Sequence, residues 1–188
     1  IAQNSAARVL LYDHANAALV RGDRHYIPIN IEPLCDELSL QAGVVSDAAG
    51  LNAPAGGTML YTSGTTGRPK GVKRSKPATL GEAFQRMQAA GCAFGLNGEG
   101  PHLVTGPLYH AAPMLFALYD LLNGAPMVIM PKWDNQQFFD LVKSFHVAHT
   151  HLVPTMFVRL LNERQRRESH DVEPDLSSLT LVLHGAAP

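Results

Sequence analysis

The sequence predicts an α/β fold in which mainly parallel sheets are flanked by helices. Three observations carry that prediction. Short apolar runs such as Val9-Leu10-Leu11-Tyr12 are too brief for helices and read as buried strands. Between them lie longer segments whose apolar residues recur at helical spacing. In the second half of the chain the two kinds alternate, and alternation of this length implies βαβ units with a covered parallel sheet.

Taken in order, 8–12 is a strand, 25–31 a weaker strand and 33–42 a short helix. The stretch 48–57 is rich in Ala, Gly and Pro and reads as a loop. Strands at 58–62 and 71–74 flank a polar segment. Residues 78–94 have helical spacing, with Leu80, Phe84, Met87 and Gly91 along one face. Then follow a strand at 102–105, a helix at 112–122, a strand at 126–130, a helix at 135–145 and a strand at 148–153. A helix at 155–166 begins at Pro154, a residue suited to a first turn because its missing N–H has no partner there anyway. The last strand is 179–183.

Composition narrows the function classes. The 188 residues suffice for a domain with a real core, and 46% apolar with 16% charged residues suits a globular protein. A net charge of −1 gives no overall attraction to nucleic acid or anionic membrane. No apolar stretch is long enough to predict a membrane span, and the N-terminal residues do not resemble a signal peptide. Cys35 and Cys92 stand far apart in the sequence and predict neither a disulfide framework nor a zinc site, so a reducing, cytoplasmic setting is expected.

The most specific segment is Tyr61-Thr-Ser-Gly-Thr-Thr-Gly-Arg-Pro-Lys-Gly-Val72. Four hydroxyl side chains (Thr62, Ser63, Thr65, Thr66), two glycines (Gly64, Gly67) and Lys70 fall close together. Glycine allows close backbone approach to a ligand, hydroxyls donate to anionic oxygens, and lysine adds a mobile charge. Arg68, Lys73, Arg74 and Lys76 extend the basic cluster with no acidic residue among them. The order is not that of a Walker A loop, because Pro69 stands where the second glycine belongs and Gly71 where Ser or Thr belongs. It is a phosphate-holding loop of another kind.

This segment resembles the signature loop of the adenylate-forming enzymes, which include acyl-CoA synthetases, firefly luciferase and peptide-synthetase adenylation domains. Two further segments follow in the family's order. Gly106-Pro107-Leu108-Tyr109-His110 resembles the segment bordering the acyl and adenylate site; alone, His110 reads better as a buried histidine satisfying a loop carbonyl, and the signature loop in the same chain turns the reading toward the site. His184-Gly185-Ala186-Ala187-Pro188 resembles the segment whose backbone lies against adenine and the acyl group, and Val153-Pro154-Thr155 resembles a turn typical of the family.

The resemblance implies ATP-dependent activation of a carboxylic acid to an acyl-adenylate, followed by thioester formation with coenzyme A. It implies that Thr62, Ser63, Gly64, Thr65, Thr66 and Gly67 cradle phosphates and that Lys70 follows the departing pyrophosphate. Thr65 or Thr66 reaches Mg²⁺ directly or through water. Gly185, Ala186, Ala187 and Pro188 border the adenylate, and Tyr109 and His110 line the substrate pocket, with Lys70 and His110 the catalytic candidates. The Lys73–Pro77 variant and the His-Gly-Ala-Ala-Pro ending look most like bacterial fatty-acyl and steroid-side-chain CoA ligases, implying a hydrophobic acid.

On the same resemblance, 1–188 corresponds to part of an AMP-binding N-terminal domain. The aromatic-Gly-x-Thr-Glu motif, the ribose-binding Asp and the C-terminal domain with its lysine lie outside the sequence, so this stretch is not expected to turn over alone. The rival readings are a non-catalytic nucleotide-binding module and an amino-acid-activating domain that loads a carrier protein. His146, His149 and His151 straddle a predicted helix end and strand without a nearby Cys or acidic residue in sequence; no zinc site is expected, and His149 and His151 share one strand face and read as edging the sheet. Arg164, Arg166 and Arg167, with Glu163 and Glu168 interspersed, read as structural at a helix end.

Overall fold

The computed structural model describes residues 7–20, 27–40, 48–57, 59–62, 70–73, 75–168 and 174–185. The chain divides into two units, Ile1–Gly81 and Glu82–Pro188. Among the described residues no helix is long and apolar enough to cross a membrane.

In the first unit β1 (Val9–Tyr12) and β2 (Ile27–Asn30) pair in parallel, with Val9 opposite Ile27. A 3-10 turn at His14–Leu19 follows β1, capped by Asp13, whose side chain accepts from the Asn16 N–H at 2.9 Å. Helix α1 (Ile31–Leu40) begins directly after β2 and carries Pro33 in its first turn. Strands β3 (Met59–Thr62) and β4 (Lys70–Lys73) form an antiparallel pair. The stretch 48–57, expected to be a loop, contains a 3-10 turn at Ala48–Asn52, and Pro54 bridges to Thr79. A single such turn is too short to leave a periodic apolar pattern, which is why composition suggested only a loop.

Helix α2 (Leu80–Ala93) leads into the second unit. There β5 (His102–Val104), β6 (Met127–Ile129), β7 (His149–Leu152) and β8 (Leu181–His184) form one parallel sheet in the order β6-β5-β7-β8. Helices α3 (Ala111–Leu122), α4 (Asn135–Phe145) and α5 (Pro154–Glu168) make the crossovers. Crossovers are right-handed, so α3, which steps from β5 to β6, covers one face. The step from β6 to β7 and that from β7 to β8 run the other way across the sheet and put α4 and α5 together on the opposite face.

The main core forms under α4 and α5: Leu103, Met130, Phe138, Phe139, Val142, Val147, Leu152 and Leu160 are buried together. Burial of each large apolar side chain there is worth about 1.5–3 kcal/mol. Asp134 caps α4 by accepting from the Gln137 N–H at 2.8 Å, and His146 ends the helix in the left-handed conformation at φ 49°. The two helices are tied by Arg167, which reaches Asp140 at 3.3 Å and lies 4.9 Å from the Phe139 ring centre. Arg166 and Arg167 both bond Glu163, in line with the structural reading of this cluster.

Candidate functional site

The strand order places a switch point between β5 and β7. From β5 the chain turns toward β6, and from β7 it turns toward β8, so the loops after these two neighbouring strands diverge. In open parallel sheets ligands bind in the crevice this leaves beyond the strands' carboxyl ends. Residues 105–110 and 153–154 leave the sheet there, and Gly185 follows β8 at the same end.

Helix α3 positions the 105–110 segment. It runs back against the α3 face of β7, so Phe116 and Asp120 meet His151 and His149 in turn. Four helical residues rise about 6 Å and two strand residues about 6.6 Å, so the two rows match. Phe116 lies against His151 with ring centres 5.1 Å apart. Pro113, in the first turn, packs over Gly106, where an added Cβ would come within 2.9 Å of the proline ring. Thr105 donates its hydroxyl to the His151 carbonyl at 2.6 Å and fixes the exit of β5 against β7.

Tyr109 and His110 stand at the opening of α3. Tyr109 is 82% exposed, and its ring centre lies 4.6 Å from that of His110. His110 is exposed and occupies the N-cap position without a side-chain capping bond. The alternative of a buried histidine satisfying a loop carbonyl therefore does not hold. Both side chains face solvent at the sheet end where ligands bind.

The opposite end of the same helix holds a group that sequence reading missed. Asp120 is fully buried and accepts hydrogen bonds from His102 Nδ1 at 2.9 Å, His149 Nδ1 at 2.8 Å and the Gly98 N–H at 3.1 Å. A carboxylate can only accept, so both rings carry their proton on Nδ1. Burial alone would raise the carboxyl pKa. The bonds from His102 and His149, the attraction of His149 and the Gly98 N–H outweigh it and hold the group below its ordinary value. Asp120 is the one charged residue of an otherwise apolar helical segment, and that isolation was the available signal.

The histidines at 146, 149 and 151 do not converge. His146 is exposed at the end of α4, whereas His149 and His151 are buried in β7. They do not edge the sheet, because β7 pairs with β5 on one side and β8 on the other. Among the described residues no group of three or more His, Cys, Asp or Glu side chains could hold a metal. His151 Nε2 is buried and finds no hydrogen-bond partner among the described residues. Burial first, then His102 and His184, lower the pKa of this ring, so it is neutral near pH 7.

Of the phosphate-loop candidates, Ser63, Gly64, Thr65, Thr66 and Gly67 lie outside the described residues, as do Ala186, Ala187 and Pro188. The two flanks are described. Thr62 pairs with Lys70 in the antiparallel β3–β4 ladder. Lys70 is exposed. Lys70 and Lys73, three residues apart on a strand, leave on opposite faces, and Lys76 Nζ donates to the Ala55 carbonyl at 3.1 Å. The basic cluster is therefore not one uniform face. A cavity of about 600 Å³ lies beyond β6, lined by Lys132, Trp133, Asp134 and Gln137 among others. Asp134 already caps α4 there and Trp133 Nε1 donates to Asn135 at 2.7 Å, so these polar groups are occupied within the protein.

A 2-succinylbenzoate–CoA ligase of Bacillus pumilus is 30% identical over 131 residues, covering 70% of this chain and 24% of the relative. 4-Coumarate–CoA ligase 1 of Oryza sativa subsp. japonica is 30% identical over 154 residues, 81% of this chain and 26% of the relative. The chain thus spans about a quarter of the length of these curated relatives. Among solved structures, the N-terminal domain of FACL13 from Mycobacterium tuberculosis with a bound inhibitor superposes over 100% of this chain and 46% of its own, with a TM-score of 0.72 at 23% identity. The O-succinylbenzoate coenzyme A synthetase of Bacillus subtilis, in complex with ATP and magnesium ion, gives 0.69 over 100% of this chain and 36% of its own at 24% identity. These likenesses establish the shared fold. The model of the AMP-binding enzyme family matches residues 1–188, the whole chain, and the chain belongs to that family.

Proposed function

We propose that the protein containing this chain activates a carboxylic acid with ATP and passes the acyl group to coenzyme A. The observation that carries the reading is the sequence of the 61–72 segment, with its hydroxyl, glycine and lysine residues, whose flanking residues Thr62 and Lys70 pair in the β3–β4 ladder. Family membership and the CoA-ligase relatives support it.

In the first half-reaction a carboxylate oxygen of the acid attacks the α-phosphorus of ATP, and pyrophosphate leaves. No side-chain nucleophile is required, so the protein's part is to position the reactants and offset charge. Thr62, Ser63, Gly64, Thr65, Thr66 and Gly67 hold the β- and γ-phosphates through hydroxyls and backbone N–H groups. Lys70 offsets the charge of the departing pyrophosphate. Thr65 or Thr66 would hold Mg²⁺, which supplies further charge neutralisation on the phosphates. Gly185, Ala186, Ala187 and Pro188 border the adenylate, and Tyr109 and His110 line the acyl side. In the second half-reaction the thiol sulfur of coenzyme A attacks the acyl carbonyl and AMP leaves.

The acid is largely apolar on this reading, given Phe116 and Tyr109 at the strand ends. A pyrophosphate-exchange assay of the full-length protein across a panel of carboxylic acids tests it. Acid-dependent exchange is expected, reduced in Lys70→Ala. Exchange that needs no acid, or tight ATP binding with no exchange for any acid, would point to a nucleotide-binding module instead.

A further inference from the structure

His151 carries a polar atom that neither the fold nor the proposed reaction uses. Its residue is 4% exposed and its Nε2 has no partner among the described residues. A buried nitrogen without a hydrogen bond costs about 1–3 kcal/mol, and leucine or phenylalanine could fill a place against Phe116 without that cost. The neighbouring buried polar groups are all satisfied: His102 and His149 bond Asp120, Thr105 bonds the His151 carbonyl, and Thr150 bonds the Leu103 carbonyl at 2.8 Å.

The position of the orphaned atom points to an occupant. His151 is the third residue of β7, toward the strand's carboxyl end, on the face covered by α3. Gly185 follows the adjacent strand. A Cβ added to Gly185 would lie 3.5 Å from His151 Nε2, and among the described residues beyond its own chain neighbours no other heavy atom lies within 4 Å of that point. Among the described residues the side-chain space of Gly185 is thus open, with Nε2 as its one polar neighbour there. Phe116 supplies the apolar wall.

We propose that His151 Nε2 is a hydrogen-bonding contact for the acyl part of the bound acid, entered beside Gly185. This rests on the acid-activating reading above and refines it. The acid has an apolar body that fits against Phe116 and one hydroxyl or keto oxygen that reaches His151. A neutral imidazole serves both, donating from Nε2 in one tautomer and accepting in the other. A site built to bond a substrate oxygen discriminates strongly against the analogue lacking it, because its own polar atom is then left unpaired.

The test is pyrophosphate exchange by the full-length protein with matched acids: octanoate against its hydroxy and keto derivatives, and phenylpropanoate against its ring-hydroxylated forms. At least one oxygenated acid is expected to exceed its parent in kcat/KM by about tenfold or more. His151→Leu should bring that ratio close to one, and His151→Gln, which keeps a hydrogen-bonding end, should restore part of it. Gly185→Ala approaches from the other side and should also lower the ratio, so the idea stays testable if the histidine variants fold poorly. A merely structural role for His151 would reduce both acids of a pair together. Exchange without preference for any oxygenated acid, or a preference that survives in His151→Leu and Gly185→Ala, overturns the proposal alone. No acid-dependent exchange at all overturns the acid-activating reading and this proposal with it.

Discussion

Replacing Asp120 separates a packing role from an electrostatic one. Asp120→Ala removes the acceptor for three donors, His102 Nδ1–H, His149 Nδ1–H and the Gly98 N–H. Each buried donor left unpaired costs about 1–3 kcal/mol, and removing one partner of a buried charged group typically costs about 3–5 kcal/mol. The two rings can change tautomer and relieve part of this, so a loss of about 4 kcal/mol is expected. That is a large share of a typical domain stability of about 5–15 kcal/mol. Asp120→Asn keeps the shape; both rings face Oδ2 and the Gly98 N–H faces Oδ1, so the amide oxygen accepts from Gly98 and the NH₂ donates to both rings after each switches tautomer, for a loss nearer 1–2 kcal/mol at neutral pH. The pH dependence tells the two roles apart. The folded carboxyl lies below its ordinary value of 3.8, so its contribution is present above that value and fades as pH falls through the folded one. The wild type should lose this stability on acidification, and the Asn variant has no carboxyl there to protonate. Urea unfolding followed by far-UV circular dichroism from about pH 7 to pH 3 should show the two curves converging at low pH. An Ala variant within about 1 kcal/mol of wild type, or a wild-type-to-Asn gap that stays constant with pH, would refute the reasoning.

Other perturbations follow from the same contacts. Lys70→Ala in the full-length protein should lower kcat/KM for pyrophosphate exchange by about 100-fold or more, with little change in melting temperature because Lys70 is exposed. Arg167→Ala should cost about 1–2 kcal/mol in urea unfolding, since one 14%-exposed side chain serves Asp140, Glu163, the Gln136 carbonyl and the Phe139 ring. Asn123→Ala should cost about 2 kcal/mol by the same measurement, because Asn123 Nδ2 donates to the Gln88, Leu96 and Tyr119 carbonyls that join the end of α2 to the end of α3.

The parallel sheet of the second unit was legible because its strands and helices differ in length and period. Residues 135–145 were read as a helix and α4 spans the same residues; Pro154 was read as a helix start and opens α5. The first unit was less so. Its 3-10 turns at 14–19 and 48–52 bury no periodic face, so hydrophobic spacing is silent about them. At the candidate site, the positions of Tyr109 and His110 followed from a loop placed just past a strand. Asp120 did not, because its partners stand 18 and 29 residues away in sequence and meet it only once α3 folds back over β5 and β7. A search for acidic partners near the histidines in sequence was bound to miss it.

One face of one strand therefore carries two polar groups with opposite fates. His149 and His151 sit two residues apart on β7, and Asp120 and Phe116 meet them from α3 at the matching helical spacing. At the amino end of the strand the histidine bonds Asp120 through Nδ1, and the Asp120 bonds pin the far end of α3 to β5 and β7. At the carboxyl end the histidine faces an aromatic ring and Gly185, and among the described residues its outer nitrogen has nothing to bond. Pinning one end of a helix fixes the direction of the whole rod, so Asp120 also sets where Tyr109 and His110 stand at the other end. The consequence is a specific order of effects: Asp120→Asn should alter KM through misplacement of that loop for every acid alike, whereas His151→Leu should act on acids according to their oxygen. An Asp120 variant that sorted acids by oxygen content would mean that the two histidines act as one unit, and the division between a rigid base and a receptive top of the strand would fall.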